Sequence, residues 1–238
     1  MVVEIVLVLT AVGVGAVVQG SIGFGFSLVA VPVLTLIRPE SVPVTLMLVA
    51  LPMTIIMAMK EWRSIDVAAF TWISGGRVPG TLVGLALLVV VPADPLARLL
   101  GFLVVVAVLM SCLGTNFEAR SSIQFAGGVA AGIMSTVAAL GGPPLALVNQ
   151  KRRGPELRST LAISFLVGLL MSLVALALAG RVEAQHFVWA LGLLPGLLLG
   201  LWASRQVAGL LDERWLRPTI LAFAALAGLA IVVFGPQG

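Results

Sequence analysis

The sequence predicts an all-α integral membrane protein with about eight hydrophobic segments in two repeats of four. Composition, segment length and an internal match carry that expectation. Hydrophobic residues fill 60% of the 238 positions, charged residues only 10%, and the mean hydropathy is +1.16. Such a chain cannot cover itself with a wetted surface. A hydrocarbon core takes ~20 helical residues per crossing, so the length leaves room for roughly eight crossings and no soluble domain. The two halves also align without a gap at an offset of 116 residues: Pro39-Glu40 falls on Pro155-Glu156, Gly25 on Gly141, Arg98 on Arg214, and PGTLVG at 79–84 on PGLLLG at 195–200. Residues 1–116 are therefore expected to form one membrane repeat and 117–238 the second, within one compact membrane domain.

Taken in order, the first apolar run, Val2 to Ile37, is interrupted by Gly20, Gly23 and Gly25 and reads as two half-segments. Its N-terminus carries Glu4 instead of a basic stretch, which predicts a retained membrane segment. Spans follow at Ser41–Met59, Val67–Val91 and Leu96–Leu113, separated by the polar run Lys60 to Asp66 and by Pro92 to Pro95. A loop at Asn116–Ser121 leads to the fifth segment, Ser122–Gln150, which is the most sharply broken, because Gly141, Gly142, Pro143 and Pro144 stand in its middle. Two prolines remove two backbone donors and a glycine pair tolerates almost any dihedrals, so a helix has to stop there and restart. After the basic stretch at 151–158, three spans complete the chain at Ser159–Ala179, Phe187–Ala203 and Pro218–Phe234, the last two separated by the polar stretch Arg205–Arg217. The Pro-Gly-x-x-x-Gly pairs Gly80/Gly84 and Gly196/Gly200 are expected to bring helices close together.

Charge placement bears on topology. Leaving Arg77 aside, eight simple crossings put nine cations on one side and four on the other, whereas two re-entrant broken segments put ten against three. The positive-inside rule favours the re-entrant arrangement, which makes the repeats inverted and leaves both termini outside. The sequence pI of about 10.6 reflects these loop cations, and no basic patch alternates with aromatics, so nucleic acid is not expected as a partner.

The run GSIGFGFSLVAVP at 20–32, its counterpart ALGGPPLALV at 139–148 and the paired PGxxxG motifs together resemble the sulfite exporter TauE/SafE family. The resemblance implies a duplicated polytopic protein of the bacterial inner membrane that moves sulfite, an organosulfonate or a related small anion. It carries over to Gly20, Gly23, Gly25 and Pro32, and to Gly141 and Gly142. The second copy departs by placing Ala139 where the first has Gly23, and by its Pro143-Pro144.

Independently of that resemblance, a break inside a membrane is tolerated only where protein or a cavity surrounds it. Restarting helices present unpaired N–H groups and a positive dipole end to a small anion. The candidate substrate-binding residues are Gln19, Ser21, Gly23 and Gly25 at the first break, and Ser135, Thr136, Gly141, Gly142 and Asn149 at the second. Ser and Thr side chains also bond their own helix carbonyls, which is the structural alternative for each. Arg77 completes the set as the one cation deep in a span, with a fork suited to oxyanions. Its alternative is a buried arginine satisfied by carbonyls freed at Pro79. His186 is expected in a loop, and Cys112 among packing groups.

A transporter by alternating access is the leading function, and an anion channel the second. An intramembrane enzyme comes third, because the sole histidine lies outside the spans and no intramembrane aspartate pair exists. The expected partners are a small anion and the lipid bilayer, with no cofactor and no metal.

Overall fold

A computed structural model of the chain describes residues 2–113, 120–152, 154–207 and 213–235. Its elements are α1 (Val2–Ile22), α2 (Phe26–Ile37), α3 (Val42–Glu61), α4 (Val67–Val90), α5 (Ala93–Cys112), α6 (Ser121–Ala138), α7 (Gly142–Val148), α8 (Gly154–Leu178), α9 (Ala184–Val207) and α10 (Glu213–Phe234). Short 3₁₀ turns at Pro39–Ser41 and Trp62–Ser64 link α2 to α3 and end α3. Most of the expected loop at Asn116–Ser121, part of Arg205–Arg217, and Arg153 lie outside the described residues.

Among the described residues, seven helices are long and apolar enough to cross a membrane: α1, α3, α4, α5, α8, α9 and α10. Each expected segment except the fifth contains one of them. The fifth becomes α6 and α7, whose glycines, hydroxyls and Gln124 lower its apolar content. The first segment divides unequally, into an α1 with a 19-residue apolar span and a 12-residue α2, instead of two halves.

Helices from the two halves of the chain pair with one another, with α4 against α6 and α1 against α9 as the two most extensive packings. Glycine makes that approach possible. A Cβ at Gly76, Gly80 or Gly84 would meet α6 at Phe125, Val129 and Ile133, and a Cβ at Gly196 or Gly200 would meet α1 at Leu9 and Gly13. In each pair the contacts advance together along both helices, so the partners run parallel. Close backbone approach in lipid substitutes dispersion contacts for the hydrophobic drive that an apolar solvent does not supply.

Each broken segment returns to the end of the bundle from which it starts, the second (α6–α7) at one end and the first (α1–α2) at the other. Gln150 Nε2 donates to the Leu113 carbonyl at the end of α5 (2.7 Å), and the Asp66 N–H donates to Thr160 Oγ1 (3.1 Å). The loops at 60–66 and 151–158 therefore share an end, which eight simple crossings would not allow. At the opposite end the Arg38 guanidinium, closing α2, lies 4.9 Å from the Trp189 ring near the start of α9. Lys60, Lys151, Arg152, Arg158, Arg205 and Arg217 gather at the first, basic end, while Arg38, Arg98 and Arg181 lie towards the other.

His186 departs from expectation. It sits in the first turn of α9, buried, and its Nδ1 accepts the Glu183 N–H at 3.0 Å, capping the helix start. Cys112 is exposed at the end of α5, outside the packed core.

Candidate functional site

The first break is built on glycine. Gly23 (φ 86°) and Gly25 (φ 114°) both take left-handed conformations that only glycine adopts cheaply, and they bracket Phe24. With no side chain at the N-cap, α2 borrows one: Gln19 Oε1 accepts the Phe26 N–H at 3.2 Å. The second break turns at Ala139, whose φ of 55° makes it the one non-glycine residue with positive φ among the described residues. The alanine stands at the repeat position of Gly23, at a cost of about 1 kcal/mol for a left-handed Cβ. Its N–H still bonds back to the Ser135 carbonyl at 2.7 Å. The two breaks touch directly, because Ser27 Oγ donates to the Ala139 carbonyl at 2.6 Å.

Between them lies a cavity of about 60 Å³. At roughly 10–15 Å³ per water-sized sphere, that is space for several waters or one small anion. Arg77 reaches it from α4, with the residue only 1% exposed, and neither Nε nor Nη1 has a hydrogen-bond partner. The carbonyls near Pro79 therefore do not satisfy these two donors. Among the described residues no carboxylate pairs with Arg77 either. Two glycines make room for the guanidinium: a Cβ at Gly168 of α8 would overlap its Nη1, Cζ and Nε, and one at Gly141 would come within 3.2 Å of Nη2. Nε and Nη1 lie on different edges of the planar guanidinium, each shared with Nη2, so these two enclosed and unpartnered donors each offer a hydrogen bond to an oxygen of a small anion.

The cavity brings together Gln19, Gly25, Arg77, Ser135, Gly141 and Gly142 from the sequence-derived set. The other four lie elsewhere. Ser21 and Gly23 border a second cavity, of about 300 Å³, towards the basic end. Ser21 Oγ donates to its own helix at the Val17 carbonyl (2.8 Å). Thr136 is fully buried and shares a 2.9 Å hydrogen bond with Ser172, which also approaches Ser135 Oγ at 3.4 Å. Asn149 caps α7, donating to the Leu145 carbonyl at 2.8 Å and accepting from Arg152. Its partner Arg152 also pairs with Asp66 and, at 3.2 Å, with Glu156. Asp66 is the N-cap of α4, and acceptance of the Ala69 N–H, aided by Arg152, holds its carboxyl below the usual 3.8 against the opposing effect of burial.

The helix-end expectation needs revising at the second break. α7 has seven residues, and Pro143 and Pro144 occupy its first turn, so only Gly141 and Gly142 bring N–H groups there. The positive charge of the site is Arg77. Sequence reasoning missed Phe24, Thr54, Phe165 and Gly168. Of these Gly168 alone carries a signal, as a lone glycine inside a span that nothing local requires.

No curated protein and no solved structure matches the chain. The family model described as sulfite exporter TauE/SafE matches residues 7–231. That match takes in both breaks, Arg77 and Gly168, and runs from α1 to near the end of α10, so the chain belongs to the sulfite exporter TauE/SafE family of membrane transporters.

Proposed function

We propose that the protein exports sulfite or a related small sulfur-containing anion, such as an organosulfonate, by alternating access, with the anion held on Arg77 between the two breaks. The observation that carries this is the enclosed guanidinium whose Nε and Nη1 have no partner. An unpaired cation in so dry a place costs several kcal/mol, and a bound oxyanion offsets that cost. The cross-repeat pairs support an inverted duplication, since the 116-residue offset carries α4 onto α9 and α6 onto α1. Repeats of that kind rock about a shared site. By the positive-inside rule the basic end faces the cytoplasm and both termini face outside.

Labelled sulfite flux into proteoliposomes tests the reading. A carrier saturates and, if coupled, responds to a proton gradient, whereas an anion channel does neither. Arg77→Gln should nearly abolish binding and flux, and Arg77→Lys, which keeps the charge and loses the fork, should weaken them partially. Full sulfite binding by a stable Arg77→Gln protein would refute the assignment.

A further inference from the structure

Of the described residues that line the cavity between the breaks, Arg77 alone ionises. Around it α1 contributes Gln19, α2 Ser27, α3 Thr54 and α6 Ser135, and the α7 and α8 residues there carry no charge. Arg77 and the Gly168 that makes room for it both lie mid-way along their helices, ~15 Å from the nearer end. Charges in the loops are therefore out of hydrogen-bonding range of the guanidinium. The breaks themselves add little. The N–H groups of Gly23, Phe26, Leu28, Ala139 and Leu140 are already bonded within the protein, and Pro143 and Pro144 have none.

Much of the remaining lining is apolar, with Phe24, Leu46, Met47, Phe165 and Leu169 among it. An anion held there meets one cation that answers its first negative charge and nothing that answers a second. Away from water, inside a membrane, an unmatched charge is excluded by about a hundredfold or more. Sulfur oxyanions divide on this point. Sulfonates and hydrogensulfite carry one negative charge, whereas sulfate and fully deprotonated sulfite carry two, and the two forms of sulfite interconvert near neutral pH.

We infer that the Arg77 site selects by charge, taking singly charged sulfur oxyanions and rejecting dianions, so that sulfite is carried as hydrogensulfite. The inference rests on the assignment of the anion to Arg77. Each hydrogensulfite takes its proton with it, so sulfite flux follows pH with no titrating protein group. Calorimetric titration of the purified full-length protein across neutral pH compares methanesulfonate, sulfamate, sulfate and sulfite. The first three share a tetrahedral shape about sulfur and keep one charge state in that range, so they separate charge from size. Sulfamate, with its polar amino group, separates charge from apolar contact. Methanesulfonate and sulfamate should bind comparably, and sulfate about a hundredfold more weakly. Apparent affinity for total sulfite should fall about tenfold for each pH unit above the hydrogensulfite midpoint, while that for methanesulfonate stays level. Sulfate bound as tightly as methanesulfonate, sulfamate rejected along with sulfate, or a sulfite affinity that holds as pH rises would each overturn charge selection. A parallel fall for methanesulfonate would put the titration on the protein and overturn it as well. Those results leave Arg77 in the site, whereas full methanesulfonate binding by a stable Arg77→Gln protein would remove it, and no binding of any of the four anions would refute both readings.

Discussion

Gly168→Ala isolates the space that Arg77 needs. In a helix interior the change from glycine to alanine is worth about 1 kcal/mol of added helix stability, so propensity alone predicts a slightly more stable protein. The new Cβ, however, would overlap Nη1, Cζ and Nε of Arg77. Something has to move, and α4 cannot, because Gly76, Gly80 and Gly84 hold it backbone to backbone against α6. The end of a flexible side chain yields instead, at little cost to the fold. What is lost is the position of the two donors. A hydrogen bond to a charged group contributes about 1.5–3 kcal/mol, and 1.4 kcal/mol is a factor of about ten, so misplacing one donor lowers anion affinity roughly tenfold or more and misplacing both roughly a hundredfold. Calorimetric titration of purified protein with sulfite reads the affinity, and a thermal melt without ligand reads the fold. Gly192→Ala on α9 is the control, since a Cβ there meets nothing within 4 Å. A Gly168→Ala protein with wild-type affinity would show that the guanidinium does not hold the anion in the position seen here.

Three further outcomes are expected. Gly141→Leu fills the space beside Arg77 Nη2 and Ser135 and should abolish sulfite flux in a protein that still reaches the membrane, and full flux would remove the second break from the mechanism. Single cysteines at Ser64 and Lys151, in Cys112→Ser, should react with an impermeant reagent from one side of the membrane, and one at Glu183 from the other. Labelling of Ser64→Cys and Lys151→Cys from opposite sides would contradict the shared end. The depressed Asp66 carboxyl contributes stability that is fully present above its ordinary value of 3.8 and is lost as pH falls through the lower folded value. The wild-type thermal midpoint should accordingly fall below about pH 3.8, by more than that of Asp66→Asn, and equal slopes would remove the Asp66–Arg152 pair as the cause.

Helix ends were legible wherever the chemistry is local. Asp66 caps α4 as a loop aspartate before an apolar run should, and the glycine and proline clusters stop α1 and α6 within a few residues of where they predict. Sequence marks the second break more sharply than the first, yet the first holds two left-handed glycines while Gly141 is right-handed. Proline announces a break more loudly than glycine, but it is positive φ that turns the chain. Side-chain partners were less legible because they are set by other elements. Thr136 meets Ser172 across 36 residues, and Asn149 is claimed by Arg152, so two polar groups beside the second break never reach the cavity. Arg77 could be flagged from its depth alone. That Gly168, on another helix and in the other repeat, would be the hollow receiving it could not.

The cross-repeat pairing also sets an order of biogenesis. Gly13 leaves the ribosome 187 residues ahead of its partner Gly200. At about 5–20 residues per second, α1 waits roughly 10–40 s before α9 can cover its glycine face. During that interval the nascent first half holds an unpartnered small-residue surface in the bilayer, open to any other helix that offers a matching groove. α4 waits less, since α6 is made soon after it. Separately expressed halves would each lack both of these parallel pairs, so neither is a folding unit alone, and functional protein from split genes would require the two fragments to meet in the same membrane.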